Sequence, residues 1–235
     1  LIVWPEAATP NGLRVDAVWI EELSNSTSTP LLIGATVREE NHNYNSVARI
    51  IPVSGLDHEW YSKRILVPFG EYVPFPFKWV PGLRKMVGPV GNFTPGQYPV
   101  LQEIELTDEL KNKIIVGPLI CYEDIFPHLS RDLVKAGADI IFVTTNNAWF
   151  KEEGCAEQHA AHSVLRAVES GKTILRCGNS GLSGWIDSRG NLRDVLVDEK
   201  GKIYFQGASS VEVFYSKKTE TFYTKWGDFF PWTCA

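Results

Sequence analysis

A cysteine at the end of an apolar run is the residue of this chain whose position most favours chemistry. Residues 114–120 are apolar and predict a buried strand, and Cys121 follows at once, with Glu123 and Asp124 behind it. Many α/β enzymes present a nucleophile where a buried strand ends and the chain enters a loop. Cys121 is therefore a candidate nucleophile, although a packing role as a small apolar residue stays open.

Three further polar residues lie near strand ends and supply what a thiol nucleophile needs. Glu6 follows an apolar strand at the start of the chain, Lys63 lies early in a later apolar stretch, and Glu71 closes that stretch. A carboxylate can take the thiol proton and return it to a leaving group. A lysine lowers the pKa of a nearby thiol and stabilises an oxyanion.

Together, Glu6, Lys63 and Cys121 form a complete set for acyl transfer through a thioester. Each also has an ordinary structural interpretation: Glu6 as a cap, Lys63 as a solvated strand residue and Cys121 as packing. Sequence spacing alone does not show that the three side chains meet.

A second polar group lies on the helix that we predict for residues 155–170. His159, His162, Arg166 and Glu169 recur at a spacing that places all four on one face. Two histidines three residues apart can bind a metal, but no third ligand or HExxH motif accompanies them. We therefore interpret this face as one of structural hydrogen bonds and expect no metal there.

The composition excludes several functional classes. The chain has 235 residues, 44% of them hydrophobic, and a net charge of −5, with lysine and arginine scattered singly. This balance argues against a nucleic-acid groove. The four cysteines show no C-x-x-C spacing, so neither a zinc site nor a disulfide framework is indicated. No apolar stretch approaches the ~20 residues that cross a bilayer.

Both ends of the chain are apolar. The sequence opens within a predicted strand and stops in the aromatic run 229–235. We interpret residues 1–235 as one catalytic domain cut from a longer protein, whose flanking membrane helices are not in this chain.

The hydrophobic pattern predicts an α/β domain with mixed sheets. Helices are expected at 12–23, with Leu13, Val15 and Val18 on one face, at 127–137, with Leu129, Leu133 and Val134 inward, and at 155–170. Strands are expected at 1–4, 31–38, 44–53, 60–67, 98–106, 114–120, 139–145, 173–177, 182–187, 192–197 and 211–215.

Residues 68–99 depart from this pattern. They contain seven prolines and seven large aromatic residues, which is too much proline for regular structure. The segment is either packed on the surface of its own domain or forms an apolar lid or lipid-facing patch.

The motifs around these residues resemble the nitrilase, or carbon–nitrogen hydrolase, superfamily, and within it the apolipoprotein N-acyltransferases. The resemblance runs in order through nearly the whole chain. It is carried by Val3-Trp4-Pro5-Glu6, Lys63 in Y-x-K-x-x-L, the run LVPFGEYVP at 66–74, residues 117–123, Asn146-Asn147-Ala148-Trp149-Phe150, Gln158-His159, residues 166–169, Arg176 and Asn179-Ser180-Gly181.

The resemblance implies a four-layer α-β-β-α sandwich of the nitrilase type, lacking its first strand and helix. It implies Cys121 as nucleophile, Glu6 as general base and Lys63 as oxyanion stabiliser. Glu71 would be a supporting carboxylate. The remaining site residues, expected to shape the pocket or contact substrate, are Tyr122, Glu123, Trp149 and Phe150.

The resemblance also implies a reaction that needs no metal or organic cofactor. Cys121 would take an acyl chain from a phospholipid and pass it to the N-terminal amine of a diacylglyceryl-cysteine apolipoprotein. The domain would face the periplasm from the bacterial inner membrane. A soluble amidase or nitrilase with the same three residues is the alternative, and the retention of all three argues against an inactive scaffold.

Two stretches depart from the family pattern. Asn147 stands where an acidic residue is expected, which predicts an altered pocket near Trp149. Residues 154–157 replace a stretch that is expected to carry a proline.

Overall fold

A computed structural model describes residues 1–77, 91–106, 112–150, 154–217 and 220–234. Its first sheet has the order β1-β2-β3-β4, and β5 also pairs with β3. β1 runs parallel to β2, and the other pairs are antiparallel. The strands are β1 (Ile2–Trp4), β2 (Leu31–Glu39), β3 (His42–Ile51), β4 (Gly55–Leu56) and β5 (Tyr61–Ser62).

The second sheet carries the predicted nucleophile strand next to one of its two edge strands. Its order is β11-β10-β9-β8-β7-β6, and the three central strands β7, β8 and β9 are parallel. Central parallel strands are covered on both faces, which explains their nearly unbroken apolar sequences. The strands are β6 (Gln102–Glu105), β7 (Lys113–Ile120), β8 (Ile140–Asn146), β9 (Thr173–Asn179), β10 (Gly184–Ile186) and β11 (Leu192–Arg193).

The helices begin and end at recognisable signals. Pro127 occupies the first turn of its helix, and the helix that ends at Ser170 is followed by Gly171 in the left-handed conformation. The helices are α1 (Leu13–Thr27), α2 (Pro127–Lys135), α3 (Cys155–Ser170), α4 (Phe222–Trp226) and α5 (Phe229–Cys234). Two short 3₁₀ helices, Cys121–Ile125 and Ala148–Phe150, directly follow β7 and β8.

Three apolar clusters define four layers. The middle cluster joins Leu32 and Val47 of the first sheet to Val116 and Phe142 of the second. A second cluster packs α1 on the outer face of the first sheet. The third packs α2 and α3 on the outer face of the second sheet. The layers therefore run α-β-β-α, which confirms the predicted sandwich.

Several predicted strands are shorter than expected or absent. Of 98–106, only Gln102–Glu105 is strand, and of 182–187, only Gly184–Ile186. Of 60–67, only Tyr61–Ser62 is strand, because the amides of Arg64 and Ile65 turn away to the carboxylate of Glu123. Of 192–197, only Leu192–Arg193 pairs. Residues 211–215 form no strand. They are bonded to β9 instead, where the Thr173 hydroxyl donates to the Phe214 carbonyl.

The predicted inner face of α1 was wrong for two residues. Val15 and Val18 are each 67% exposed, whereas Leu13 and Ile20 are buried against the sheet. Asp16 is also buried and accepts hydrogen bonds from Asn11. On the buried face of α1, the carboxylate of Asp16 bonded to Asn11 therefore takes the place that the pattern assigned to valine side chains. In α2, Leu129 and Leu133 are buried as predicted.

The proline-rich segment falls partly outside the described residues, since residues 78–90 are not described. On its described part, Phe75 and Phe77 are exposed. Within the described ranges, no helix combines the length and the apolar composition that a bilayer span requires.

Gly34 in β2 permits the close approach that places Glu6. A Cβ atom at Gly34 would lie 2.5 Å from the Pro5 carbonyl oxygen and 2.6 Å from the Glu6 Cα. Both are backbone atoms, so they cannot move aside as the end of a flexible side chain can. The turn after β1 is therefore packed directly on β2.

We expect Gly34→Ala to lower the free energy of unfolding by about 1–3 kcal/mol, the usual cost of overpacking a filled core. Urea denaturation measures it. Arg38→Ala, an exposed change on the same strand, is the control and should stay within about 0.5 kcal/mol. An unfolding midpoint for Gly34→Ala equal to that of the control would contradict the close packing.

Candidate active site

Glu6, Lys63 and Cys121 meet between the two sheets. Glu6 follows β1, Lys63 follows β5 and Cys121 follows β7. Lys63 Nζ lies 3.7 Å from Glu6 Oε1, and the charges of both side chains act on the Cys121 thiol. Glu6 and Lys63 are buried, the lysine with only 1% of its surface exposed. Three side chains spread over more than a hundred positions thus lie at one location, where Glu6 and Lys63 are buried and Cys121 is partly exposed.

The Glu6 carboxylate is fixed at both oxygens. Oε1 accepts a hydrogen bond of 2.7 Å from Asn45 Nδ2, and Oε2 accepts one of 2.7 Å from the backbone N–H of Asn146. Asn45 belongs to the first sheet and Asn146 ends a strand of the second. The carboxylate therefore bridges the two sheets. The sequence reading missed Asn45, whose signal is a polar residue within a strand that is otherwise buried.

Glu71 is the second carboxylate on Lys63. Its Oε1 accepts from Lys63 Nζ at 2.9 Å and from Asn45 Nδ2 at 3.0 Å, while Oε2 accepts from the Val67 N–H at 2.8 Å. Burial alone lowers the pKa of Lys63, but the negative charge of the Glu6 and Glu71 carboxylates outweighs it and raises the pKa above its ordinary value. Lys63 is therefore a cation at neutral pH.

Cys121 occupies a constrained turn. Its φ is +54°, a left-handed conformation that residues other than glycine seldom adopt. Burial raises the pKa of its thiol to about 12, the negative charge of Glu6 adds to this, and Lys63 opposes it. The resting thiol is thus protonated at neutral pH. Attack on a carbonyl by such a thiol requires a neighbouring group that takes the proton as the sulfur bonds.

Tyr122 lies beside Lys63. Its hydroxyl donates to the Leu66 carbonyl at 2.7 Å, and Lys63 Nζ lies 5.4 Å from the centre of its ring. Its ring also packs edge-on against Phe126. The Tyr122 ring therefore makes a cation–π contact with the Lys63 ammonium, which favours the charged form of the lysine.

Glu123 is fully buried and collects four donors. Oε1 accepts from the N–H groups of Arg64 and Ile65 at 2.6 and 3.1 Å. Oε2 accepts from the Tyr61 hydroxyl and the Ile120 N–H, both at 2.8 Å. The carboxylate joins the segment just after Lys63 to the strand end just before Cys121. Glu123 therefore fixes the positions of Lys63 and Cys121 relative to each other through the backbone of their neighbours.

The helix face predicted as structural hydrogen bonding is one in the structure, except at His162, which is exposed. His159 Nε2 lies 2.8 Å from Asp124 Oδ1, and Arg166 Nη1 donates to the carbonyls of Asp124 and Ile125. Glu169 pairs with Arg166. In the part of the chain that the structure describes, no three His, Cys, Asp or Glu side chains are grouped as a metal site.

Asp124 and Arg176 form a buried ion pair that the sequence reading did not find. Arg176 Nη1 lies 2.7 Å from Asp124 Oδ2, and neither side chain has exposed surface. Ser163 donates to the same oxygen. The partners are separated by 52 residues, and β9 and the turn after β7 meet only in the folded chain. Arg176 stood in the family motif, but its partner was not predictable from spacing.

Trp149 and Phe150 follow directly on the strand end that holds Glu6. Both lie in the 3₁₀ helix Ala148–Phe150, and they are 79% and 53% exposed. Asn147, by contrast, is buried and contacts His159, with Nδ2 at 3.4 Å from His159 Nδ1. The exposed rings are placed where a substrate arriving from solvent can contact them.

Comparison with known proteins agrees with this geometry. Residues 1–212 match the family model of carbon–nitrogen hydrolases. The chain belongs to the carbon–nitrogen hydrolase family. Its relatives include the apolipoprotein N-acyltransferase of Geobacter metallireducens, which is 35% identical over 100% of this chain and 44% of its own length. That of Bdellovibrio bacteriovorus is 29% identical over 97% of this chain and 42% of its own.

Solved structures show the same carbon–nitrogen hydrolase fold. A mutant of the amidase from Nesterenkonia sp. AN1, with acrylamide added at its active-site cysteine, superposes with a TM-score of 0.60 at 16% identity, covering 83% of this chain and 74% of that one. This likeness supports the nitrilase-type sandwich and no particular substrate. The chain spans less than half the length of the curated relatives that it matches.

We expect Glu123→Gln to lower the free energy of unfolding by about 2–5 kcal/mol. The new amide can accept at one atom only, and each buried donor left unpaired costs about 1–3 kcal/mol. Urea denaturation gives the change, with the exposed Glu22→Gln of α1 as the matched control. Equal stability of the two variants would show that the four donors do not depend on the carboxylate.

Proposed function

We propose that this domain is the catalytic part of a lipoprotein N-acyltransferase. The observation that carries the proposal is the buried cluster in which Lys63 and Glu6 act on the Cys121 thiol. The similarity of the whole chain to apolipoprotein N-acyltransferases supports the substrate class. In this proposal a phospholipid donates the acyl chain, and the N-terminal amine of a diacylglyceryl-cysteine apolipoprotein accepts it.

In the first half-reaction, the Cys121 sulfur attacks the ester carbonyl of the phospholipid while Glu6 takes the thiol proton. The carbonyl oxygen becomes an oxyanion, and the Lys63 ammonium stabilises it. The tetrahedral intermediate then collapses, the carbon–oxygen bond to the lysophospholipid breaks, and Glu6 gives its proton to that oxygen. The products are a Cys121 thioester and a lysophospholipid.

In the second half-reaction, the acceptor amine attacks the thioester carbonyl. Glu6 takes a proton from the amine and Lys63 again stabilises the oxyanion. The carbon–sulfur bond breaks, and the proton returns from Glu6 to the Cys121 sulfur. An amide-linked lipoprotein leaves, and the resting thiol is restored. Glu71 serves throughout by orienting Lys63, and Tyr122 and Glu123 keep the turn and the lysine in place.

Exposed aromatic side chains support a lipid partner and a location at a membrane. Phe222, Trp226, Phe229, Phe230 and Trp232 of α4 and α5 are each more than half exposed. Aromatic side chains of this kind favour the interface between water and lipid. We propose that the domain works at the bacterial inner membrane on the periplasmic side. Trp149 and Phe150, on the strand end beside Glu6, would contact the acyl chain or its carrier.

The same three residues could also hydrolyse a small amide. The fold-level likeness to an amidase leaves this second function open, and one experiment separates the two. The acyltransferase requires a long acyl chain on Cys121 from a phospholipid, whereas the amidase requires turnover of acetamide.

We expect an acyl adduct on Cys121 when the protein is incubated in detergent with a dipalmitoyl phosphatidylethanolamine. Mass spectrometry of the intact protein and its peptides should show one palmitoyl group, removable by hydroxylamine as a thioester is. Cys121→Ala should show none, and Cys155→Ala, a change at another thiol, should label as the unmodified protein does. Acetamide turnover without any adduct would replace the acyltransferase proposal by the amidase.

We expect Glu6→Gln to slow acyl transfer by about 10²–10⁴-fold, the usual contribution of a general base. The same change should make the resting thiol more acidic, because the negative charge of Glu6 raises the pKa of Cys121. Iodoacetamide labelling of Cys121 should therefore become faster at a fixed alkaline pH while turnover falls. Slower labelling together with slower turnover would indicate a general disruption of the site rather than the loss of a base.

A further inference from the structure

A histidine outside the three proposed catalytic residues is bonded to the nucleophile's backbone. His159 Nε2 lies 3.0 Å from the Cys121 carbonyl oxygen and 2.8 Å from Asp124 Oδ1. Both partners are acceptors, so Nε2 carries the hydrogen and shares it between them. Nδ1 is then left as an acceptor for the Asn147 amide, at 3.4 Å. The surroundings thus select one neutral tautomer of the ring.

The chain of polar groups continues from Asn147 back to the nucleophile. Asn147 Oδ1 lies 3.3 Å from the Thr145 hydroxyl, which donates to it. Strand pairing sets Ile120 against Thr144, so the next residues, Cys121 and Thr145, lie side by side. Burial raises the pKa of the Cys121 thiol, and the Thr145 side chain is among the neighbouring groups that oppose this. The circuit thus starts at the carbonyl of Cys121 and ends at Thr145, on the strand beside it.

Its members are buried and have little freedom. Thr145 and Asn147 have 0% and 2% of their surface exposed, and His159 has 8%. Gly181 packs on the circuit, since a Cβ atom there would lie 2.5 Å from Asn147 Oδ1. A buried polar chain with its partners satisfied fixes the orientation of every member.

We propose that Thr145, Asn147 and His159 form a positioning circuit with two roles. It holds the Cys121 turn in place, and it lets the Thr145 hydroxyl donate a hydrogen bond to the Cys121 sulfur when negative charge develops there. The proposal rests on the proposed role of Cys121 as nucleophile. In the resting state, the single Thr145 hydrogen is given to Asn147 Oδ1. As Glu6 takes the thiol proton, the hydroxyl rotates toward the sulfur. No proton leaves Thr145, so the step needs no further reactant.

The charged groups around the circuit come from four elements. Glu6 after β1 and Lys63 after β5 act on the sulfur. Asp124, in the turn after β7, and Arg176 of β9 form the ion pair behind His159. This pair anchors the ring from the side away from Asn147. The role of His159 differs from that of a base in a catalytic triad, because its hydrogen points to Asp124 and the Cys121 carbonyl and not to the sulfur.

The test is the pH profile of iodoacetamide labelling at Cys121, followed on the Cys121 peptide so that the other three cysteines do not contribute. Thr145→Val keeps the shape of the side chain and removes only the hydroxyl. We expect its labelling rate at each pH below the midpoint to fall about tenfold, as loss of a hydrogen bond to a charged group predicts. Thr145→Ser should restore the rate.

An unchanged labelling profile in folded Thr145→Val would overturn the proposal. If that variant does not fold, His159→Gln and His159→Met decide instead. Glutamine keeps a donor for Asp124 and the Cys121 carbonyl and an acceptor for Asn147, and methionine keeps neither. We expect labelling at a fixed pH to fall about tenfold in His159→Met and to recover in His159→Gln, and equal loss in both would overturn the circuit.

The labelling experiment is independent of acyl transfer. A lowered labelling rate in Thr145→Val, in a protein that forms no palmitoyl adduct, supports the circuit and overturns only the proposed lipid chemistry. An adduct that forms at the unmodified rate in Thr145→Val, with an unchanged labelling rate, overturns the circuit and leaves the acyltransferase proposal in place.

Discussion

The candidate site depends on one buried cation. Lys63 has almost no contact with solvent, and an ammonium group in that position is stable only when carboxylates surround it. Glu71 at 2.9 Å and Glu6 at 3.7 Å supply the compensation, and Asn45 donates to both carboxylates. Glu6 therefore has a second task besides the proposed proton transfer, since it also helps to keep the lysine charged inside the fold.

Glu123 and Asp124 are adjacent buried carboxylates, and different kinds of partner compensate for the burial of each. Glu123 is held by neutral donors, and its burial raises its pKa. Burial also acts to raise the pKa of Asp124, but the hydrogen bond from His159 and the charge of Arg176 outweigh it and lower the pKa. Glu123 accepts mainly from backbone N–H groups, whereas Asp124 binds the side chains of His159, Ser163 and Arg176. Together the two carboxylates fix the turn that carries Cys121.

Sequence reasoning found the parts of the site that lie at strand ends. Apolar runs placed Glu6 and Cys121 just after strands, where the structure has them, and the predicted bounds of α3 are those of the structure because Gly154 and Gly171 flank the helix. It failed where a distant residue decides the local structure. The strand expected at 60–67 stops after Ser62 because a carboxylate 59 positions away takes the amide of Arg64. No local pattern contains that information.

The bond from the Asn146 amide to Glu6 has a mechanical consequence. One oxygen of Glu6 is held by β3 and the other by the end of β8, so the carboxylate spans the boundary between two sheets. Any sliding of one sheet over the other must rotate or release this group before the apolar layer between them is disturbed. The orientation of the Glu6 carboxylate thus depends on how the two sheets are aligned, and small shear motions between them reach this group without unfolding any element.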